Sequence, residues 1–246
     1  MCYNCFKGYA QSEALLTCKG FKQYRITCKI IEYKGEQIMD FYEAVKSRRT
    51  VRDFKDEPVD MEAIKRILSA GLKAPTNDHL RNWEFVVLNE KSEIEKVLKK
   101  IPKKVTEKRS EFIVDSMRLK YECQQKMYLD AIPKQYSMLH NAGCLLLPFY
   151  KQKAPLLAPK TLSSLNGFAS IWCCIENILL AATAEGLACS MRIPMSDETE
   201  QITEALSCPT DYFMPCFLSI GYPAEEAAVI EQKEVNIEDK IHINKW

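Results

Sequence analysis

Three short stretches hold the residue types that could do chemistry. Ser47-Arg48-Arg49-Thr50-Val51-Arg52 gathers three guanidiniums and two hydroxyls. Arginine forks meet phosphate oxygens in pairs, and a hydroxyl adds a neutral donor. The same charges also read as a solvated basic turn. Neither G-x-G-x-x-G nor a Walker loop accompanies them, which argues against a dinucleotide fold or a P-loop. The second stretch, residues 74–85, reads Ala-Pro-Thr-Asn-Asp-His-Leu-Arg-Asn-Trp-Glu-Phe. Its side chains suit hydrogen bonding to a planar heterocycle, or simply close a loop. His79 alone reads as a surface histidine as readily as a catalyst. The third stretch, Gly186 to Pro194, follows an apolar run, which Gly186 can end in a turn that exposes backbone N–H groups. Cys189 and Ser190 look nucleophile-like, but no strand-turn-helix elbow or paired histidine accompanies them, which argues against a hydrolase triad.

The elements that must position these stretches follow from periodicity. Phe41, Ala44, Val45 and Arg48 have helical spacing. Asp60 then stands as cap before a helix with Ile64, Ile67, Leu68 and Leu72 on one face. Residues 83–88 are β-rich, and Ser92-x-x-Glu95 reads as a capping box before another helix. Residues 104–127 predict one long charged helix with Val105, Phe112, Ile113, Met117 and Tyr121 on one face. A helical stretch at 135–141 precedes a buried strand from Gly143 to Leu147. From Gly167 to Ala184 the only charge is Glu176. A helix apolar all round must be buried on every side, in the core or at a subunit interface. Asp197-x-x-Glu200 opens a further helix, and residues 217–223 form a strand and turn. The tail, 224–246, carries spaced apolar residues that suit docking. Helices alternate with strands, so the chain reads as one α/β or α+β domain.

Composition narrows the classes. The chain has 246 residues with 34 Lys+Arg against 33 Asp+Glu, a balance unlike that of a dedicated nucleic-acid binder. There is no unbroken apolar run of about 18 residues, so no membrane span is expected. Eleven cysteines, an odd number, with Cys144, Cys173, Cys174 and Cys216 inside apolar runs, indicate free buried thiols and a cytoplasmic location. Cys2-x-x-Cys5 lacks the second close pair that a zinc site wants, so no metal is expected. Residues 1–38 lack the patterning that begins at Met39. Lys34-Gly35-Glu36 can be encoded by a purine-rich run like a ribosome-binding site. The segment is thus either a translated leader or an ordinary N-terminal extension of a domain spanning 39–246.

Taken together, the patches resemble the FMN-dependent nitroreductase family. Ser47 to Phe54 is similar to that family's R-R-S-x-R signature after its first helix. Ala74-Pro75-Thr76 and Trp83-Glu84-Phe85 resemble its A-P-S…P-W-x-F segment, with Asn82 where proline is usual. Ser170 through Gly186-Leu187 resembles its central helix ending in G-L-G, with Ala188 for the second glycine, and Gly221-Tyr222-Pro223 its late strand end. The resemblance implies an α+β fold with a mostly antiparallel sheet flanked by helices, in an intertwined homodimer. It implies that Arg48, Arg49, Thr50 and Arg52 hold the FMN phosphate, ribityl chain and one ring edge. Pro75, Thr76 and Asn77 would lie against the ring from the partner subunit, Met191, Arg192 and Ile193 would line its other edge, and Lys233 would reach the phosphate. His79, Arg81, Tyr121 and Tyr128 would face the substrate, the last two from a cap over residues 103–141, where Tyr136 and Met138 are either substrate contacts or core.

The implied activity is transfer of reducing equivalents from NAD(P)H through FMN to a nitroaromatic, quinone or similar small acceptor, in ping-pong fashion. No catalytic side chain is needed, since the flavin carries the chemistry. Two rival readings stand beside it: a flavin-binding or sensing protein without turnover, and a dehalogenase-like branch of the same fold, for which no clear Glu-Tyr-Lys substrate clamp stands in the cap.

Overall fold

The computed structural model describes residues 39–152 and 156–246. Residues 1–38 and their cysteines, on which the alternatives of leader and extension turn, lie outside the described residues. Helix α1 (Phe41–Ser47) starts at Asp40, whose carboxylate accepts the Tyr42 N–H at 2.9 Å. Helix α2 (Met61–Gly71) follows Asp60, which holds the cap position without a side-chain hydrogen bond. Strand β1 (Trp83–Leu88) leads to α3 (Lys91–Val97), whose cap position falls to Glu90, so the expected Ser92 capping box does not form.

The single helix expected over 104–127 is two helices, α4 (Glu107–Ser116) and α5 (Glu122–Ala131). Arg118 takes a left-handed φ of 50° and closes α4 without glycine or proline. The predicted apolar face fails with it. Phe112, Met117 and Tyr121 are exposed, and Ser110 and Val114 turn inward instead. A short α6 (Ser137–His140) then enters β2 (Cys144–Lys151). Tyr136 and Met138 are buried beside it, so both are core residues.

The remaining elements are α7 (Asn166–Ala184), β3 (Ala188–Arg192), α8 (Ser196–Leu206), β4 (Tyr212–Phe213) and β5 (Phe217–Gly221). The sheet runs β1-β2-β5-β3, every pair antiparallel, with β4 paired to the end of β2. It is the α+β arrangement expected. Strand β2 is buried on both faces, which explains its nearly unbroken apolar sequence. Cys144, Leu146 and Tyr150 pack with α2 and α7, whereas Leu145, Leu147 and Phe149 pack with α3, α6 and α8. Fully burying each such aliphatic side chain stabilises the fold by about 1.5–3 kcal/mol. Residues 188–192, beyond the turn expected at Gly186, form a strand at the sheet edge.

Helix α7 crosses α2 so closely that a Cβ on Gly71 would stand 2.7 Å from Ile178 Cγ1. It ends through Glu185 and Gly186, the latter at φ 75°. The stretch Leu162–Ala184 contains an 18-residue window of mean hydropathy 1.5 and is long and apolar enough to cross a membrane by length and composition. The criterion of an unbroken apolar run overlooks this. Its Ile171, Cys174, Ile175, Ile178, Leu179 and Ala182 are instead buried against the rest of the domain. The opposite side, with Ala169 and Cys173, is exposed on the single chain, so burial on every side is not achieved within one copy.

Burial pushes the thiols of Cys144, Cys174 and Cys189 up to about 12, from an ordinary 9.0. On unfolding these groups return to their ordinary value. Above about pH 9 the unfolded chain therefore releases protons that the folded chain retains, and stability falls as pH climbs toward 12. We expect urea-unfolding free energies to be unaffected by these thiols at neutral pH. Above pH 9 the free energy should decline by up to about 1.4 kcal/mol per pH unit for each thiol. A Cys144→Ala variant should show a shallower decline.

Candidate functional site

After α1 the chain runs extended along the outer edge of β3. The Val51 N–H donates to the Cys189 carbonyl at 2.9 Å, and Thr50 bridges Cys189 in the parallel sense. Backbone pairing therefore sets the first sequence patch directly against the third. Arg49 Nη1 donates to the carbonyls of Lys46 and Arg48, each at 2.7 Å, which braces it against the end of α1. Arg49, Thr50 and Arg52 line a cleft of about 420 Å³ with Cys123, Gln124 and Met127 of α5 and residues 230–233 of the tail. Lys233 thus reaches the cleft. Its ammonium lies 4.0 Å from the centre of the Tyr121 ring, which ties the tail to the cap. Arg48 turns the other way, toward α7, where its Nε is 4.0 Å from Glu176.

The cleft's cations rest on acids that sequence reasoning did not single out. Arg52 Nη1 donates to Asp130 Oδ2 at 2.9 Å, with both side chains about nine-tenths buried. Lys134 joins the pair, bonding Asp130 and, at 2.6 Å, Asp53. Burial desolvates its ammonium, but the hydrogen bonds to Asp130 and Asp53 outweigh that and raise its pKa. The only sequence trace of this cluster is the i, i+4 spacing of Asp130 and Lys134.

Arg192, expected to line a ligand, has its guanidinium committed within the chain. Glu198 grips it with both carboxylate oxygens, and its Nε donates to Gln135 Oε1 at 2.7 Å. Glu198 also accepts the Met195 N–H at 2.9 Å at the start of α8. What β3 offers outward is the side chains of Met191 and Ile193, both exposed.

The second patch lies elsewhere. Thr76 and Asn77 sit at the N-terminal end of α7, where the Asn77 N–H donates to Ser170 Oγ at 3.3 Å and Asn166 Nδ2 donates to Asn77 Oδ1 at 3.2 Å. Together with Trp83, Gln152, Ser163 and neighbours they line a polar crevice of about 330 Å³. Pro75 is exposed beside it. The two pockets share no lining residue. His79 and Arg81 both adopt left-handed backbone, at φ 55° and 46°, a conformation uncommon outside glycine. The Arg81 side chain holds this loop, donating to the Leu72 carbonyl at 3.0 Å and the His79 carbonyl at 3.3 Å. His79 is exposed. Tyr128 is half-buried on α5.

Among the described residues no group of three or more His, Cys, Asp or Glu is placed to hold a metal. The arrangement offers two arginines, a lysine and a hydroxyl to an anion, and a polar rim to a neutral ring. It offers no nucleophile–base pair: Ser190 is buried without a hydrogen-bond partner, and burial raises the Cys189 thiol.

Because Arg192 and Glu198 are buried together, removing one leaves a charge without compensation. Glu198→Ala should lower stability by about 3–5 kcal/mol in urea unfolding. The apolar pair Arg192→Met with Glu198→Leu should recover most of that loss.

Comparison with known proteins agrees with the fold. The sequence profile of the Nitroreductase family matches residues 45–222. A Methanothermobacter thermautotrophicus protein with the provisional name NADH dehydrogenase/NAD(P)H nitroreductase is 26% identical over 85% of this chain and 88% of its own. An iodotyrosine deiodinase of Nematostella vectensis is 28% identical over 77% of this chain and 69% of its own. Among solved structures, an oxidized iodotyrosine deiodinase bound to FMN and 3-iodo-L-tyrosine superposes with a TM-score of 0.63 at 19% identity, covering 84% of this chain and all of the other. With the antiparallel sheet, the edge-paired arginine segment and this match in hand, the chain belongs to the nitroreductase family.

Proposed function

We propose that this protein is an FMN-dependent oxidoreductase that takes reducing equivalents from NAD(P)H and passes them to a small electron-poor acceptor such as a nitroaromatic or quinone. The observation that carries the reading is the cleft in which Arg49, Thr50, Arg52 and Lys233 converge beside the β3 edge. The donor set fits FMN. Three cations answer a phosphate bearing nearly two negative charges, and the Thr50 hydroxyl adds a neutral donor. When bound, FMN supplies the hydride and electron chemistry. This chain binds and orients it, with Met191 and Ile193 offering apolar surface at the end of β3. Arg192 contributes by holding β3, α8 and the cap together rather than through a free guanidinium.

Thr76 and Asn77 line a separate pocket, with Pro75 exposed beside it, so the part of these three in the same site calls for a second copy of the chain. A homodimer built on the exposed side of α7 provides that copy. Two relatives' names bear on the acceptor. One pairs NADH dehydrogenase with NAD(P)H nitroreductase, and the other is iodotyrosine deiodinase. The second supports a reductive dehalogenase as the alternative reading. Iodide release from iodotyrosine by the reduced protein, without NAD(P)H-driven turnover of nitroaromatics, would select it.

Purified protein should bind about one FMN per chain, seen as quenching of flavin fluorescence on titration. Arg49→Ala should weaken that binding by about 1.5–3 kcal/mol, the usual worth of a hydrogen bond to a charged group. Failure to take up FMN would sink the reading.

A charge on the outer side of α7 tests the dimer. Ala169→Asp lies on the exposed side of the helix, where a single chain tolerates polar substitutions within about 0.5 kcal/mol. The variant should keep its circular dichroism and run as a monomer in light scattering after gel filtration. It should also bind FMN more weakly than the parent. Ile178 cannot serve for this test, since it is fully buried within its own chain.

A further inference from the structure

The flavin reading accounts for the cations of the cleft and leaves Asp130 unexplained. A carboxylate placed behind a phosphate site opposes the ligand's charge, so its presence there needs a reason. Its position supplies one. Asp130 engages a single nitrogen of Arg52, Nη1, at 2.9 Å, and the same arginine lines the cleft. Both side chains are about nine-tenths buried, so their geometry is held by packing as well as by charge. Lys134 bonds Asp130 and Asp53, giving a cluster of two cations and two anions that is neutral before any ligand arrives. The acid's charge is thereby offset locally, and its hydrogen bond to Arg52 remains. Asp130 also stands on α5, the helix that supplies Cys123, Gln124 and Met127 to the cleft wall, so the one pair fixes the arginine relative to that wall.

We propose that Asp130 is a positioning residue for the anion site: it orients the Arg52 guanidinium so that its remaining N–H groups face the phosphate of FMN. The inference rests on the flavin reading. A long flexible arginine without such a brace spreads over many rotamers, and ordering it on binding weakens affinity. A brace supplied in advance removes that cost.

The test is a double-mutant cycle read as FMN affinity by fluorescence quenching, on Asp130→Asn, Arg52→Ala and the double variant. Asp130→Asn alone should weaken FMN binding by roughly tenfold, within the range expected for coupled neighbours. In the Arg52→Ala background the same change should alter affinity by less than about twofold. Asp130→Glu, which keeps the charge and can still reach Arg52, should restore most of the loss. A residue that only stabilises the fold would lower affinity by the same factor in both backgrounds, and that result overturns the proposal. Unchanged or tighter binding in Asp130→Asn also overturns it, since the acid would then be merely a competitor for the arginine. If the asparagine variant does not fold, Asp130→Ser with and without Arg52→Ala carries the cycle, and equal losses in the two backgrounds again refute it. Absence of FMN binding by the parent protein is a separate result, which removes the flavin reading itself.

Discussion

The site depends on how one sheet edge is closed. An edge strand presents unpaired N–H and C=O groups, and native folds pair, cover or blunt them. Here β3 is the end of the β1-β2-β5-β3 ladder, and the residues that follow α1 pair with its outer edge. The Val51–Cys189 hydrogen bond sets the register of that pairing. Register decides which side chains face outward, and a slip of one residue would exchange them. Arg49, Thr50 and Arg52 therefore owe their shared cleft to a backbone contact, made by two segments remote in sequence. Because β3 is locked to β5, and β5 to the doubly buried β2, the cleft inherits the rigidity of the core.

Concentrating guanidiniums at one edge creates a second constraint, mutual repulsion. The protein answers it with acids drawn from the cap, from α8 and from the segment after α1. Asp130 meets Arg52, Asp53 shares Lys134 with Asp130, and Glu198 takes both nitrogens of Arg192's fork. Buried pairs of this kind add little net stability over apolar replacements, because desolvation consumes much of their attraction. What they supply is geometry. Each pair joins a cap or α8 residue to the β3 edge or to the segment beside it, so polar contacts place the outer cap helices while Tyr136, Met138 and Leu139 anchor its end in the core. This agrees with the exposed Phe112, Met117 and Leu129 on the outer cap helices.

The pattern of what the sequence disclosed follows the same physics. Strand β2 and helix α7 were legible because burial writes long apolar stretches. The arginine segment, Thr76–Asn77 and Lys233 were legible through the order of family motifs, and the structure brings Arg49, Thr50, Arg52 and Lys233 into one cleft. Strand β3 went unassigned because Ala-Cys-Ser-Met-Arg has no clean alternation: Cys189 and Ser190 are buried in succession. The break between α4 and α5 carried no warning, since Arg118 adopts left-handed backbone where glycine or asparagine would have signalled it. Arg192's ion pair left no trace because its partner Glu198 looks like an ordinary first-turn acid of α8. Asp130 was invisible because it lies 78 positions from Arg52. Polar partners across such distances leave no periodic trace.

Helix α7 shows where composition misleads and local chemistry corrects it. By hydropathy it suits a bilayer, and within the chain it is buried on one side only. The exposed side, however, carries Glu176, with Arg48 of the cleft segment 4.0 Å away. A carboxylate near the middle of a span is costly in hydrocarbon. A protein interface, by contrast, places apolar groups at its centre and tolerates charges where partners or water answer them. The neighbouring α1 adds exposed Phe41, Tyr42 and Val45, which together with Cys173 and Ala169 leave more apolar surface than one side of a surface helix ordinarily shows. Arg48, which turns away from the anion cleft, thus lies at the junction between that cleft and the face of α7. If a second copy covers that face, Arg48, which meets it, directly precedes Arg49 and Thr50 of the cleft, so neither surface can shift without the other.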